Sequence, residues 1–213
     1  MILKFELSLQ EGDFLAKLSR RAICIYLKTR KKIDPPPDTP TILREKRGVF
    51  VTLNNIAHGR DLRGCIGYPL PLEPLVQATI NSAIEAATGD PRFPEVSLHE
   101  LQGEITIEVS VLTTPELIEV SNPLEYSRKV TVGSDGLIVE RGWNKGLLLP
   151  QVPIEWNWDG EEFLSNCCMK AGLPPDAWMV GGVRISKFQA VIFEEESPSG
   201  KVRQKILQVQ RNK

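Results

Sequence analysis

Ile105-Thr106-Ile107-Glu108-Val109-Ser110-Val111 is the stretch that decides how the chain is read. Apolar and polar side chains alternate with period two, which gives a strand with one apolar and one polar face. Such a half-buried strand fits a sheet packed on one side, and its neighbours in sequence agree. Residues 72–87 before it place Leu75, Val76, Thr79, Ile80, Ala83, Ile84 and Ala87 on one helical face. Further back, Gly48–Leu53 and Leu62–Tyr68 read as two strands around the turn residues 54–59, and Pro69 and Pro71 interrupt the second. Residues 11–32 form an amphipathic helix that the proline-rich connector Asp34–Pro40 must end. Downstream, Lys129–Val132 and Leu137–Glu140 flank Gly133-Ser134-Asp135-Gly136, a hairpin signal. A short strand at 147–149, a helix at 161–171 with Gly172 as its C′ residue, and a strand at 183–193 complete the pass. This order lacks the repeating strand–helix unit of a doubly wound sheet. It predicts an α+β protein with a largely antiparallel sheet flanked by helices.

A chain of 213 residues, 41% hydrophobic and 25% charged, can bury a sizeable core and is not of disordered composition. No apolar run approaches the roughly 18–20 residues of a membrane span, and Met1–Glu6 lacks the features of a signal peptide, so a cytoplasmic location is expected. Cys24, Cys65, Cys167 and Cys168 form neither a disulfide framework nor a C-x-x-C site, and with only His58 and His99 available no metal site is expected. Charge is segregated. Residues 17–47 carry ten Lys/Arg against three Asp/Glu, residues 48–200 carry ten against twenty-one, and the thirteen residues from Lys201 add five basic side chains. A solvated helix and a charged tail explain this better than a polyanion site, since no nucleic-acid motif accompanies it. Nucleic acid is the weakest of the partner readings.

Chemistry concentrates in Leu62-Arg63-Gly64-Cys65-Ile66-Gly67. Gly64 and Gly67 permit the close approach of another group. Arg63 can favour a thiolate or clamp an anion through its planar fork of donors. The positive end of the following helix lowers a thiol pKa if it points at the sulfur. In a regular strand Arg63, Cys65 and Gly67 project from one face. Cys65 is therefore a candidate nucleophile, with His58 and His99 as candidate bases. A strand cysteine beside glycines is also a common tight packing site. Arg92, in the turn Asp90-Pro91-Arg92-Phe93-Pro94, is a candidate anion contact that Asp90 can orient.

The hexapeptide resembles the one that marks the AMMECR domain family. Gly48–Leu53, Asp90–Pro94, Glu108–Leu112, Leu147–Pro153, Trp158–Leu164 and Lys170–Pro174 resemble the same family in the same order, so the likeness spans about residues 10–195. Residues 196–213 are left as a basic C-terminal tail. The resemblance implies two unequal lobes with a cleft between them, near which the family's characteristic residues gather. It implies no established reaction and leaves the cofactor unknown; related domains are associated with Memo-like and radical-SAM proteins, which suggests partners of those kinds. Two functions stand side by side. One is an enzyme or ligand-binding protein for a small-molecule or peptide ligand, with Cys65 as nucleophile and Arg63, Gly64, Gly67 and Arg92 in the binding site. The other is a non-catalytic adaptor or regulatory module in which Cys65 is present for its size.

Overall fold

The computed structural model describes residues 7–206, apart from the side chain of His58. Two compact units emerge: residues up to Leu112 joined by Val191–Lys205, and Thr113–Ala190.

The first unit opens with helix α1, Leu9–Thr29, started by a capping box between Ser8 and Glu11. It ends at Arg30, a left-handed C-cap (φ 58°) whose N–H donates to Tyr26 O, so the stop comes before the prolines expected to impose it. Strands β1 (Gly48–Asn55) and β2 (Asp61–Tyr68) pair antiparallel, followed by helix α2 (Leu75–Thr88), helix α3 (Leu98–Gly103) and strand β3 (Ile105–Leu112). Pro74 is the N-cap of α2, so the helix starts three residues later than its apolar pattern suggests. The sequence reading missed α3, although Ser97 and Glu100 form its capping box. Strands β8 (Ala190–Glu195) and β9 (Val202–Lys205) complete a sheet of order β2-β1-β3-β8-β9. The basic segment expected as a tail thus supplies an edge strand, and its remainder from residue 207 lies outside the described residues.

Leu15, Ala22 and Ile23 of α1, Ile80 and Ala83 of α2, and Val49, Val51, Leu53, Ile107 and Val109 of the sheet share one core. The expected polar face of β3 is not wet: Thr106, Glu108 and Ser110 are as buried as the apolar residues between them. Arg20 is also withdrawn from the expected solvated face of α1. Its guanidinium pairs with buried Glu195 and donates to Leu101 O and, at 2.7 Å, Ile105 O.

The second unit contains strand β4 (Glu116–Leu117), helix α4 (Tyr126–Lys129), strands β5 (Gly136–Arg141) and β6 (Asn144–Leu148), helices α5 (Val152–Glu155) and α6 (Gly160–Lys170), and strand β7 (Arg184–Phe188). Its sheet has the order β4-β7-β5-β6, all antiparallel. Phe163, Leu164 and Cys167 of α6 pack with Leu137, Val139 and Ile185 in its core. The hairpin expected around residues 133–136 does not form. Thr131–Asp135 is a turn closed by the Asp135 carboxylate, which accepts from Thr131 N–H at 2.9 Å and pairs with Lys187 at 3.4 Å. The hairpin lies one step later, between β5 and β6 around Gly142 (φ 60°). The single strand expected at 183–193 is divided at Gln189, whose backbone bonds to Thr113, and its halves enter different sheets.

Candidate functional site

The hexapeptide lies on β2, an edge strand of the first sheet. Register along β2 is regular from Tyr68 to Gly64, then shifts: Leu53 opposes Gly64 but Asn54 opposes Leu62, leaving Arg63 as an extra residue. This bulge re-aims Arg63, so it does not share a row with Cys65 and Gly67 as a regular strand would require. Its Nε donates to Glu100 Oε1 at 3.0 Å, Nη1 to Pro94 O at 2.8 Å and Nη2 to Glu95 O at 3.4 Å. The side chain expected to clamp an anion ties the edge strand to α3 and the turn before it.

The two glycines are sites of close approach. A Cβ on Gly64 would stand 2.1 Å from Ala86 O, in the last turn of α2; one on Gly67 would meet the Phe50 ring at 2.4 Å. The helix end that abuts the hexapeptide is therefore the C-terminal, partially negative one. The positive end invoked to lower a thiol pKa is not at this position.

Cys65 is half-buried, on the sheet face opposite the core. It opposes Thr52 of β1, which opposes Glu108 of β3, so the three form one row across the sheet. Thr52 Oγ1 donates to Cys65 Sγ at 3.3 Å. Burial pushes the thiol pKa up; the Thr52 hydrogen bond and the charge of Arg92 pull the other way, and Glu108 and Asp90 add to the rise. The net is a thiol that stays protonated at neutral pH.

Outside the strand edge, Asp90 and Arg92 cap Cys65 as a neighbouring strand would. Cys65 N–H donates to Asp90 Oδ2 at 2.9 Å, and Arg92 Nη2 reaches Cys65 O at 3.4 Å. Arg92 grips the same carboxylate through Nε at 2.9 Å and Nη2 at 2.7 Å. These hydrogen bonds, with that from Cys65, hold the buried Asp90 carboxyl down at a pKa of about 2. The Arg92 side chain stays 54% exposed and lies over the Phe93 ring. A fixed but accessible cation thus stands beside a neutral thiol.

Of the candidate bases, His99 is almost fully exposed on α3 and faces Glu104 at 3.8 Å, while the His58 side chain lies outside the described residues. Among the described residues no group of three His, Cys, Asp or Glu side chains is placed to hold a metal ion, and no helix is long and apolar enough to cross a membrane. Sequence reasoning brought Cys65, Asp90 and Arg92 to notice but missed Thr52, Glu108 and Ser110, which become visible only when β1 and β3 are laid beside β2.

Comparison with known proteins gives a consistent result. The family model described as AMMECR1 matches residues 16–193. Protein PYRAB00100 of Pyrococcus abyssi is 60% identical over 198 residues, covering 92% of this chain and 96% of that protein. Protein MK0488 of Methanopyrus kandleri is 54% identical over 202 residues, covering 95% and 97%. Among solved structures, the crystal structure of uncharacterized protein PH0010 from Pyrococcus horikoshii matches with a TM-score of 0.91 and 56% identity, over 95% of this chain and 100% of that one.

Proposed function

This chain belongs to the AMMECR1 family, and from that premise we propose that its hexapeptide builds a non-catalytic recognition site for a small or peptidic ligand carrying an anionic group. The observation that carries this reading is the pairing of a protonated, Thr52-bonded thiol with an exposed guanidinium already oriented by a buried carboxylate. A cation held in place loses little side-chain entropy when it takes an anion, which favours binding. Arg92 is the contact residue, Cys65 a neutral wall, and Gly64 and Gly67 set the approach of α2 and Phe50. Arg63 is a positioning residue, through its hold on the turn that carries Arg92. We place the module in the cytoplasm, where four free thiols suit a reducing compartment.

The enzymatic alternative, with Cys65 as nucleophile, draws on Arg92, whose charge lowers the thiol pKa; burial outweighs it. Alkylation by iodoacetamide at pH 7 separates the two. Cys65 is expected to react more slowly in the folded chain than in the unfolded one. Faster reaction in the folded chain would establish an activated thiolate and overturn the binding reading.

A further inference from the structure

The face of the first sheet that carries Cys65 continues into a second row, which brings in Ser110. Phe50 of β1 opposes Gly67 of β2 and Ser110 of β3, one step along from the row of Cys65, Thr52 and Glu108. Ser110 is 1% exposed, and its Oγ has no hydrogen-bond partner among the described residues. A buried hydroxyl left unpaired is unfavourable, so its place in the strand calls for a partner that the described residues do not supply. Two residues away, Glu108 is also buried, and its Oε2 accepts from Lys205 Nζ at 2.8 Å. The Thr52 hydrogen points to sulfur, which leaves its oxygen to accept. This part of the face is rich in acceptors and suits a ligand group with several N–H donors. At the β2 edge the polarity reverses, because Arg92 Nη1 has no partner among the described residues and suits a carboxylate.

Resting on the recognition site proposed above, we infer that this face takes a zwitterion: a carboxylate on Arg92 and a protonated amine on Glu108 and Ser110. Strands β2 and β3 flank β1, so their backbones are about 10 Å apart, and the two poles of the site are separated by more than an α-amino acid spans. The ligand class is therefore an amino carboxylate whose charges are several bonds apart, as in a long ω-amino acid or a short peptide.

Calorimetric titration of the full chain with 6-aminohexanoate, glycine and hexanoate tests this. 6-Aminohexanoate is expected to bind about tenfold more tightly than either of the others, the gain of a charge-assisted hydrogen bond. Arg92→Gln should weaken both 6-aminohexanoate and hexanoate, whereas Glu108→Gln should weaken 6-aminohexanoate alone. Ser110→Ala removes a hydroxyl without touching an ion pair and should lower 6-aminohexanoate affinity severalfold in a folded chain, which keeps the test valid if Glu108→Gln disturbs Lys205. If hexanoate binds as well as 6-aminohexanoate, the zwitterion inference falls and the anion-recognition reading survives. If neither binds, both fall. An ordered water alone on Ser110, in a crystal soaked with 6-aminohexanoate, would also overturn the inference.

Discussion

Two edge strands, β2 and β6, meet their helices in the same way and then diverge. In the first unit Gly64 lies under the last turn of α2; in the second, Gly146 lies under the end of α6, where a Cβ would stand 2.5 Å from Ala171 N and 2.7 Å from Cys167 O. Each contact has a cysteine beside it. Cys167 is on the helix, sealed in the core, with its thiol pKa pushed to about 12 by burial and by Cys168. Cys65 is on the strand and turned the other way, among Thr52, Asp90 and Arg92. The same packing device therefore serves a purely structural thiol in one unit and presents a thiol to a polar site in the other. What distinguishes the hexapeptide is the polar surroundings of its cysteine, not the glycines around it.

The most severe way to break this parallel is to fill the two contacts. Gly64→Ala should destabilise the first unit by about 3 kcal/mol or more, because the new methyl meets a backbone oxygen that cannot turn aside. Gly146→Ala should cost the second unit about 2–3 kcal/mol for the same reason. Denaturant titration of each variant measures both; a loss under about 1 kcal/mol at Gly64 would mean that α2 is not held this close.

Asp90→Ala tests the difference between the units, since of these two edge strands β2 is the one with a side-chain pair capping its backbone among the described residues. Removing a buried carboxylate that accepts charge-assisted hydrogen bonds should cost about 2 kcal/mol. The pH dependence has a defined sign. The folded pKa of Asp90, about 2, lies below its unfolded value. Its contribution is therefore complete above about pH 4 and lost as pH falls towards 2. Acid titration of stability should show this loss in the parent chain and not in Asp90→Ala.

The thiols give the opposite edge of the pH range. With folded pKa values raised at Cys65 and Cys167, the unfolded chain releases these protons first. Their contribution is full below the ordinary thiol range near pH 9 and declines as pH rises towards 12 for Cys167. Cys167→Ala should flatten that alkaline decline more than Cys65→Ala, as stability measured between pH 8 and 11 will show. The smallest effect is expected for Cys65→Ser. A half-buried hydroxyl beside Thr52 has a hydrogen-bond partner, so the change should stay below about 1 kcal/mol in the same unfolding assay.

Much of the fold was legible locally. The apolar faces of α1 and α2, the alternation in β3 and the αL glycine Gly172 after α6 are written in short windows, and the corresponding elements form. The turn at 131–135 was misread because Gly133 and Gly136 suggest a hairpin, while the Asp135 carboxylate that closes a different turn gives no periodic signal. In the candidate site, Cys65 and Arg92 could be singled out by residue type and motif. The role of Arg63 could not, because it depends on one inserted residue in the β2 register.

The sequence by itself determined which residues turn towards a core, where chain direction changes, and which family the hexapeptide resembles. These are properties of neighbours along the chain. Only the tertiary structure decided that β3 is buried on its polar face as well, that Arg20 meets Glu195 across 175 residues, and that Cys65 lies between Thr52 and the Asp90–Arg92 pair. Periodicity records which side of a strand is apolar and carries no information about what stands opposite the other side. At the hexapeptide that opposing shell, more than the cysteine, sets the protonation state of the thiol and hence the chemistry open to it.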